Sequence, residues 1–392
     1  MKKPIIFLLL TVLYFMFCFN FVSFKFNRTN ALSFSNDIPQ PEISAKSALL
    51  IEYNSGKVIY EKNSNERLPI ASMTKLASLS LIFDAINKGA IKENDMVMVS
   101  ESAAKVGGSS AFLDAGSKYK VADLIKTIVV ASANDSTVAL AEFVAGSEDV
   151  FVSKMNKMAE NLGLKDTHFA NSTGLPAENH YSTAHDIAII YKTMCNNKLY
   201  KKFSKIWMED FIHPSGRKTG LVNTNRLVKT FDGIEGGKTG YTDAAKFCLT
   251  ASASRSSLRL IGVVIGATDS KTRFAEMSKL LNFGFSNYAN KLIVNSEVPV
   301  TNVKINKSKN SVDIFAENDI YKLIEKTDTS TFKTDFRINE DIKAPLKAGD
   351  KVGTIYVLDQ NNMVLDEINL IVKTNVECEK WVDSLKKIVN AW

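Results

Sequence analysis

Histidine and cysteine are scarce in this chain, and where they stand excludes more than their number does. The 392 residues hold four histidines, none at metal-ligand spacing and none in a His-Glu pair on a helix. That speaks against a zinc hydrolase. Of four cysteines, Cys18 lies in an apolar N-terminal run, and Cys195, Cys248 and Cys378 are far apart and odd in number. They form no disulfide framework. The formal charge is +7, spread through the sequence with no long Lys/Arg block and no nucleic-acid motif. The excess reads as mild attraction to anionic surfaces, and no nucleic-acid partner is expected. Hydrophobic residues make up 45% and charged residues 23%, as in ordinary folded proteins, and the length holds one large core plus a smaller domain.

The N-terminus points to export. Met1-Lys2-Lys3 is positive, and Pro4 to Phe26 is apolar apart from Thr11, Asn20, Ser23 and Lys25. This is the pattern of a secretory signal, although the run is nearly long enough to span a bilayer. The small residues at Thr29-Asn30-Ala31 favour cleavage after Ala31 over retention as an anchor. Cys18 follows Phe17 rather than a small residue, unlike a lipoprotein signal. The expected location is outside the cytoplasmic membrane, on its outer face.

Further on, Ala48 to Tyr53, Asn54-Ser55-Gly56-Lys57 and Val58 to Tyr60 read as strand, turn and strand. A helix opens near Ser72 and runs to Asn87 before Gly89. Helices are expected over 121–130, 136–145, 148–162 and 184–195, the last capped by Thr183. Lys105 to Gly116 is a glycine- and serine-rich loop. Strands are expected over 247–254 and 258–267, then a helix from Lys271 to Phe283, ending before Gly284. Strands at both ends with helices between them predict an α/β (α+β) catalytic domain over 36–290, its sheet assembled from the first hairpin and the last strands. Residues 291–375 read as a small β domain, with Gly349 and Gly353 at turns. In the tail, 376–392, Trp381, Val382, Leu385, Ile388, Val389 and Trp392 share one helical face. Lysines and polar residues take the other, the pattern of a helix lying in a membrane interface.

Three short runs carry chemistry. Ser72-Met73-Thr74-Lys75 opens a helix, where positions three apart share a face. Ser72 is a poor nucleophile without a base, and Lys75 serves as base only when neutral. Ser132-Ala133-Asn134 lies between two helices, and Lys238-Thr239-Gly240 begins a strand. Each run is weak alone; in this order and setting they are specific. A serine at a helix start gains from the dipole and free N–H groups. Gly240 lets a strand edge come close to a substrate.

The order of the three runs resembles penicillin-binding proteins and serine β-lactamases. Wider stretches are similar to the low-molecular-mass serine-type D-alanyl-D-alanine carboxypeptidases: 69–75, 132–135, Gly174-Leu175-Pro176 with 180–184, 223–227 and 236–242. The resemblance covers about 43–285 and extends in kind to the β domain and tail. It implies the penicillin-binding, β-lactamase-like transpeptidase fold with an antiparallel sheet, and acyl transfer without metal or organic cofactor. Ser72 would attack the terminal D-Ala-D-Ala bond, Lys75 take its proton, and Ser132 relay one to the leaving nitrogen. Asn134 would hold the substrate amide and orient Lys75. Lys238 and Thr239 would bind the terminal carboxylate. The N–H groups of Ser72 and Tyr241, beside Gly240, would form the oxyanion hole. Peptidoglycan stem peptides are the implied substrate and β-lactams the implied covalent inhibitors.

The chain departs from that pattern at Ala133, often glycine in the family, and at Lys246, where a glycine usually precedes the aromatic-Cys pair. His180, His185, Tyr181, Ser182 and Asp186 are expected to brace the groove, and Arg273 to pair with an acidic group. A β-lactamase would need a Glu-x-x-x-Asn stretch between Asn134 and Lys238, and there is none. The runs do not separate a carboxypeptidase from an endopeptidase on cross-linked stems. An inactive wall-binding module is the remaining alternative.

Overall fold

A computed structural model of the chain describes residues 38–379. The expected leader, 1–31, and the amphipathic tail from Lys380 onward lie outside the described residues. By contact, the described chain divides into two compact units. One holds 38–51, 60–252 and 261–279; the other holds 280–379 and the turn segments 52–59 and 253–260.

The large sheet has five strands in the spatial order Val58–Lys62, Ser47–Glu52, Leu258–Ala267, Lys246–Arg255 and Ile234–Thr242. The N-terminal hairpin lies against the last strand in sequence, as expected. Tyr53 N donates to Arg259 O, and a Cβ on Gly266 would meet Lys46. The end of one strand therefore faces the start of the other, and the pairing is antiparallel. Every residue of Ser47–Glu52 is buried, and all but one of Leu258–Ala267. Both faces of the sheet are covered, so these strands read as continuous apolar runs rather than alternating ones. One cover is the helix Ser270–Asn287: a Cβ on Gly262 would lie 2.5 Å from Met277 Sδ. The helix Lys75–Asn87 is buried through Leu76, Leu79, Ile82 and Phe83 among the helices Asn134–Ala145, Glu148–Asn161 and Ala184–Met194.

Two expectations need correction. The helix from Ser270 runs through Gly284 to Asn287. A glycine costs a helix about 1 kcal/mol, and the burial of Phe283 and Phe285 on either side outweighs that. Gly353 is no turn residue but lies inside the strand Lys351–Leu358, at a register shift. A Cβ there would come within 2.2 Å of Arg337 O, so glycine lets two strands meet. Gly349, with φ +93°, does turn the chain. A further helix, Lys198–Ser204, is capped by the Asn197 side chain.

The second unit carries an antiparallel sheet in the order Thr301–Val303, Val312–Ala316, Val364–Val372, Lys351–Leu358 and Lys333–Ile338. A separate ribbon pairs Tyr288–Val294 with Ile320–Glu325. Ile314, Val352, Val357, Leu370 and Val372 fill its core. Val376 bridges to Leu346 and Cys378 to Ser308, so the β module continues through Cys378. Among the described residues, no helix is long and apolar enough to cross a membrane.

Candidate active site

Ser72 sits in a 3₁₀ turn, Ala71–Thr74, and the α-helix begins only at Lys75. The turn is pinned by the buried Ile70, Met73 and Leu76, and Ala71 is held at φ +48°. One turn on, Lys75 Nζ reaches Ser72 Oγ at 2.8 Å and donates to Thr173 O at 2.7 Å. Thr173 is in place because Asn171 Oδ1 accepts from the N–H groups of Thr173 and Gly174. Gly174, at φ +85°, could not be otherwise: a Cβ would fall 1.9 Å from Ala71 O.

Ser132 caps the helix Val121–Ala131 in the left-handed conformation, φ 64°. This non-glycine strain turns its hydroxyl toward Lys238 Nζ, 2.7 Å away. Lys238 also donates to Thr239 O. Asn134 starts the next helix, and its amide nitrogen donates to Gly107 O. Its Oδ1 is buried with no hydrogen-bond partner among the described residues. Its hydrogen bond goes to the glycine loop and not to Lys75, contrary to the orienting role expected. Asp135 gathers that loop, accepting from Ser110 Oγ and from the N–H groups of Ala111 and Leu113.

The strand Ile234–Thr242 is the edge of the large sheet. A Cβ on Gly240 would stand 2.7 Å from Ile70 O and 3.2 Å from Ser72 N. The glycine thus lets the edge strand touch the nucleophile turn itself. Tyr241 is 52% exposed, lies at a tilt against the Phe247 ring and donates to Asp243.

Arg273 corrects another expectation. Instead of an acidic partner it takes the carbonyls of Gly240 and Cys248, and it lies over the Phe274 ring. Nothing in the three motifs signals it or Thr173. His180 Nδ1 accepts from Ala170 N–H, so its Nε2–H faces Thr74 Oγ1 at 2.7 Å. Burial, with His168 nearby, lowers its pKa to about 4, leaving a neutral brace. Tyr181 pairs with His168, while Ser182 and Asp186 share Thr167 Oγ1.

Burial governs the two lysines. Lys75 is wholly buried and is pushed well below its ordinary pKa by desolvation, then by the charge of Lys238, with Asp135 opposing. Lys238 is lowered to about 7 by desolvation and then by Arg273. A buried ammonium is costly, so the site favours a neutral amine beside Ser72. Ser72, Lys75, Ser132, Asn134, Lys238, Thr239, Gly240 and Tyr241 all belong to this neighbourhood.

Residues 34–269 match the family model described as D-alanyl-D-alanine carboxypeptidase. The chain belongs to the D-alanyl-D-alanine carboxypeptidase family. Residues 288–378 match the C-terminal domain of penicillin-binding protein 5. The D-alanyl-D-alanine carboxypeptidase DacF of Bacillus subtilis (strain 168) is 43% identical, covering 89% of this chain and 90% of that protein. The D-alanyl-D-alanine endopeptidase of Pseudomonas aeruginosa is 32% identical over 62% of this chain and 77% of its own length. Among solved structures, penicillin-binding protein 5 of Haemophilus influenzae aligns with a TM-score of 0.69 at 32% identity, covering 87% of this chain and 99% of that one. The carboxypeptidase family thus carries both the fold and the β module seen here.

Proposed function

We propose that the chain is an exported serine-type D-alanyl-D-alanine carboxypeptidase that works through an acyl-enzyme on Ser72. The observation that carries this reading is the buried, proton-poor Lys75 amine 2.8 Å from Ser72 Oγ. The substrate is a peptidoglycan stem pentapeptide. Its terminal carboxylate meets Lys238 and Thr239, a cation and a hydroxyl, while its amide meets Asn134. Neutral Lys75 takes the Ser72 proton as Oγ bonds to the penultimate carbonyl carbon. The N–H groups of Ser72 and Tyr241 stabilise the oxyanion. Collapse breaks the C–N bond, and a proton passed through Ser132 reaches the leaving D-alanine nitrogen. Water, activated by the same lysine, then cleaves the ester and restores Ser72. β-Lactams acylate the same serine and are released slowly.

The division expected from the sequence is a leader over 1–31, a catalytic domain over 36–290, a β domain over 291–375 and a tail over 376–392; the bridges of Val376 and Cys378 favour carrying the β domain through Cys378, with the tail after it. The amphipathic part of the tail, Trp381–Trp392, is read as lying on the membrane; if its removal leaves vesicle binding unchanged, that reading fails. Carboxypeptidase is favoured over endopeptidase because the relative aligned along nearly the whole chain is a carboxypeptidase by name.

The deciding experiment is mass spectrometry of the exported chain with benzylpenicillin and, separately, with a pentapeptide ending in D-Ala-D-Ala. A long-lived adduct on Ser72 together with released D-alanine is expected. An adduct without D-alanine moves the substrate to cross-linked stems, and neither product leaves a binding module.

A further inference from the structure

The hairpin of strands Met208–Ile212 and Lys218–Val222 has no part in the three motifs, yet its turn grips the site. Arg217 Nη2 donates to Phe112 O and, at 2.8 Å, to Asp114 Oδ1. Beside it, His213 is buried, with Nε2 2.8 Å from Thr219 Oγ1 and Nδ1 3.0 Å from Tyr119 Oη. Phe211 stacks on Tyr119, which fixes the hairpin to the strand Lys118–Lys120.

The segment so held, Gly107 to Asp114, is held from the other side by the start of the helix Asn134–Ala145. Gly107 O takes the Asn134 amide and Ser109 O takes Asn134 N–H. Asp135 takes Ser110, Ala111 and Leu113. Fit is tight at the inner end, where a Cβ on Gly108 would lie 2.7 Å from Asn134 Nδ2. At the outer end, Phe112 is 64% exposed and sits at φ +59°. A bulky residue in the left-handed region is strained, and the strain occurs where its carbonyl meets Arg217.

We propose that Arg217 is a positioning residue: by holding the Phe112–Asp114 end, it keeps Gly107 against Asn134 and fixes how Asn134 presents its amide to the substrate. This rests on Asn134 being the substrate-binding residue of the preceding reading. The ion pair with Asp114 is half exposed and contributes little to overall stability. Its effect falls on orientation, where a small displacement costs rate. Both bonds leave the one nitrogen Nη2, which is aimed by the other, Nη1, resting 3.4 Å from Thr219 Oγ1; lysine has no second nitrogen to aim its ammonium.

The test measures the rate of penicilloyl formation on Ser72, and kcat and KM on the pentapeptide, in the full exported chain. Arg217→Ala is expected to slow acylation about tenfold while the thermal midpoint stays within about 2 °C of the parent. Arg217→Lys stays close to the alanine variant, and Asp114→Asn moves the same way by a smaller factor. The double variant Arg217→Ala with Asn134→Ala is no slower than Asn134→Ala alone, because both act through one group. If the two losses multiply, or if Arg217→Ala acylates within about twofold of the parent, the proposal is overturned. If Asn134→Ala itself acylates normally, the reading of Asn134 fails and the clamp with it.

Discussion

Lys238 Nζ and Ser132 Oγ stand 2.7 Å apart, although 106 positions separate them in the chain. Their pairing gives the site a second serine and lysine beside Ser72 and Lys75. In the proposed reaction one lysine accepts a proton and the other faces a carboxylate.

Lys75 is the residue whose loss costs most. Lys75→Ala is expected to reduce acylation of Ser72 by about 10³-fold, within the range for removing a positioned general base. Stopped-flow acylation by a chromogenic β-lactam measures it. A loss below tenfold would mean that another group takes the serine proton.

Lys238 gives a pH signature in stability. Its folded pKa, about 7, lies below the ordinary 10.5. Between those values the unfolded chain binds a proton that the folded chain does not. Stability therefore rises with pH across that window, by at most roughly 1.4 kcal/mol per unit for one group. Lys75 acts in the same direction. Tyr191 and Tyr200, raised by burial, act oppositely above about pH 10. Lys238→Met should raise the thermal midpoint at pH 7, flatten its rise toward pH 10 and abolish carboxypeptidase turnover. A slope identical to the parent's would sink the assignment.

In turnover the same lysines set the limbs of a bell. Activity climbs as Lys75 loses its proton and declines as Lys238 loses the charge that meets the carboxylate. A bound carboxylate holds that charge, so the falling limb of kcat should lie at higher pH than that of kcat/KM. Coincident falling limbs would remove Lys238 from carboxylate recognition.

Lys246 occupies φ +56°, a conformation that suits glycine. Lys246→Gly should stabilise the fold by about 1 kcal/mol and leave Ser72 acylation near the parent rate. Chemical denaturation reads the first and penicillin binding the second. A destabilised variant would show that the lysine side chain makes a compensating contact.

Gly240→Ala and Gly174→Ala test the two close approaches to the nucleophile turn. The added methyl of Gly240→Ala meets Ile70 O and Ser72 N at distances that a small strand shift can relieve. Acylation should fall at least tenfold with about 1–3 kcal/mol of destabilisation, the range for overpacking. Gly174→Ala meets backbone at 1.9 Å and positive φ and should destabilise more than Gly240→Ala. Equal effects would mean that the turn is free to move.

What the sequence determined by itself was chemistry and order. Ser72 and Lys75 lie three positions apart on one turn, so their meeting needed only local helical geometry. The hairpins and apolar strands were legible because β periodicity and Asn/Gly turns are local signals. Residues that act over distance were not legible. Thr173, Arg273 and Arg217 reach the site through backbone carbonyls, and a bond to a carbonyl leaves no mark on the partner's residue type. The glycines divide in the same way. Gly240 looked like room for a substrate, but only the folded edge strand shows the nucleophile turn packed against it. The depressed pKa of Lys75 comes from burial beside a lysine 163 positions away, a desolvation that only tertiary packing produces.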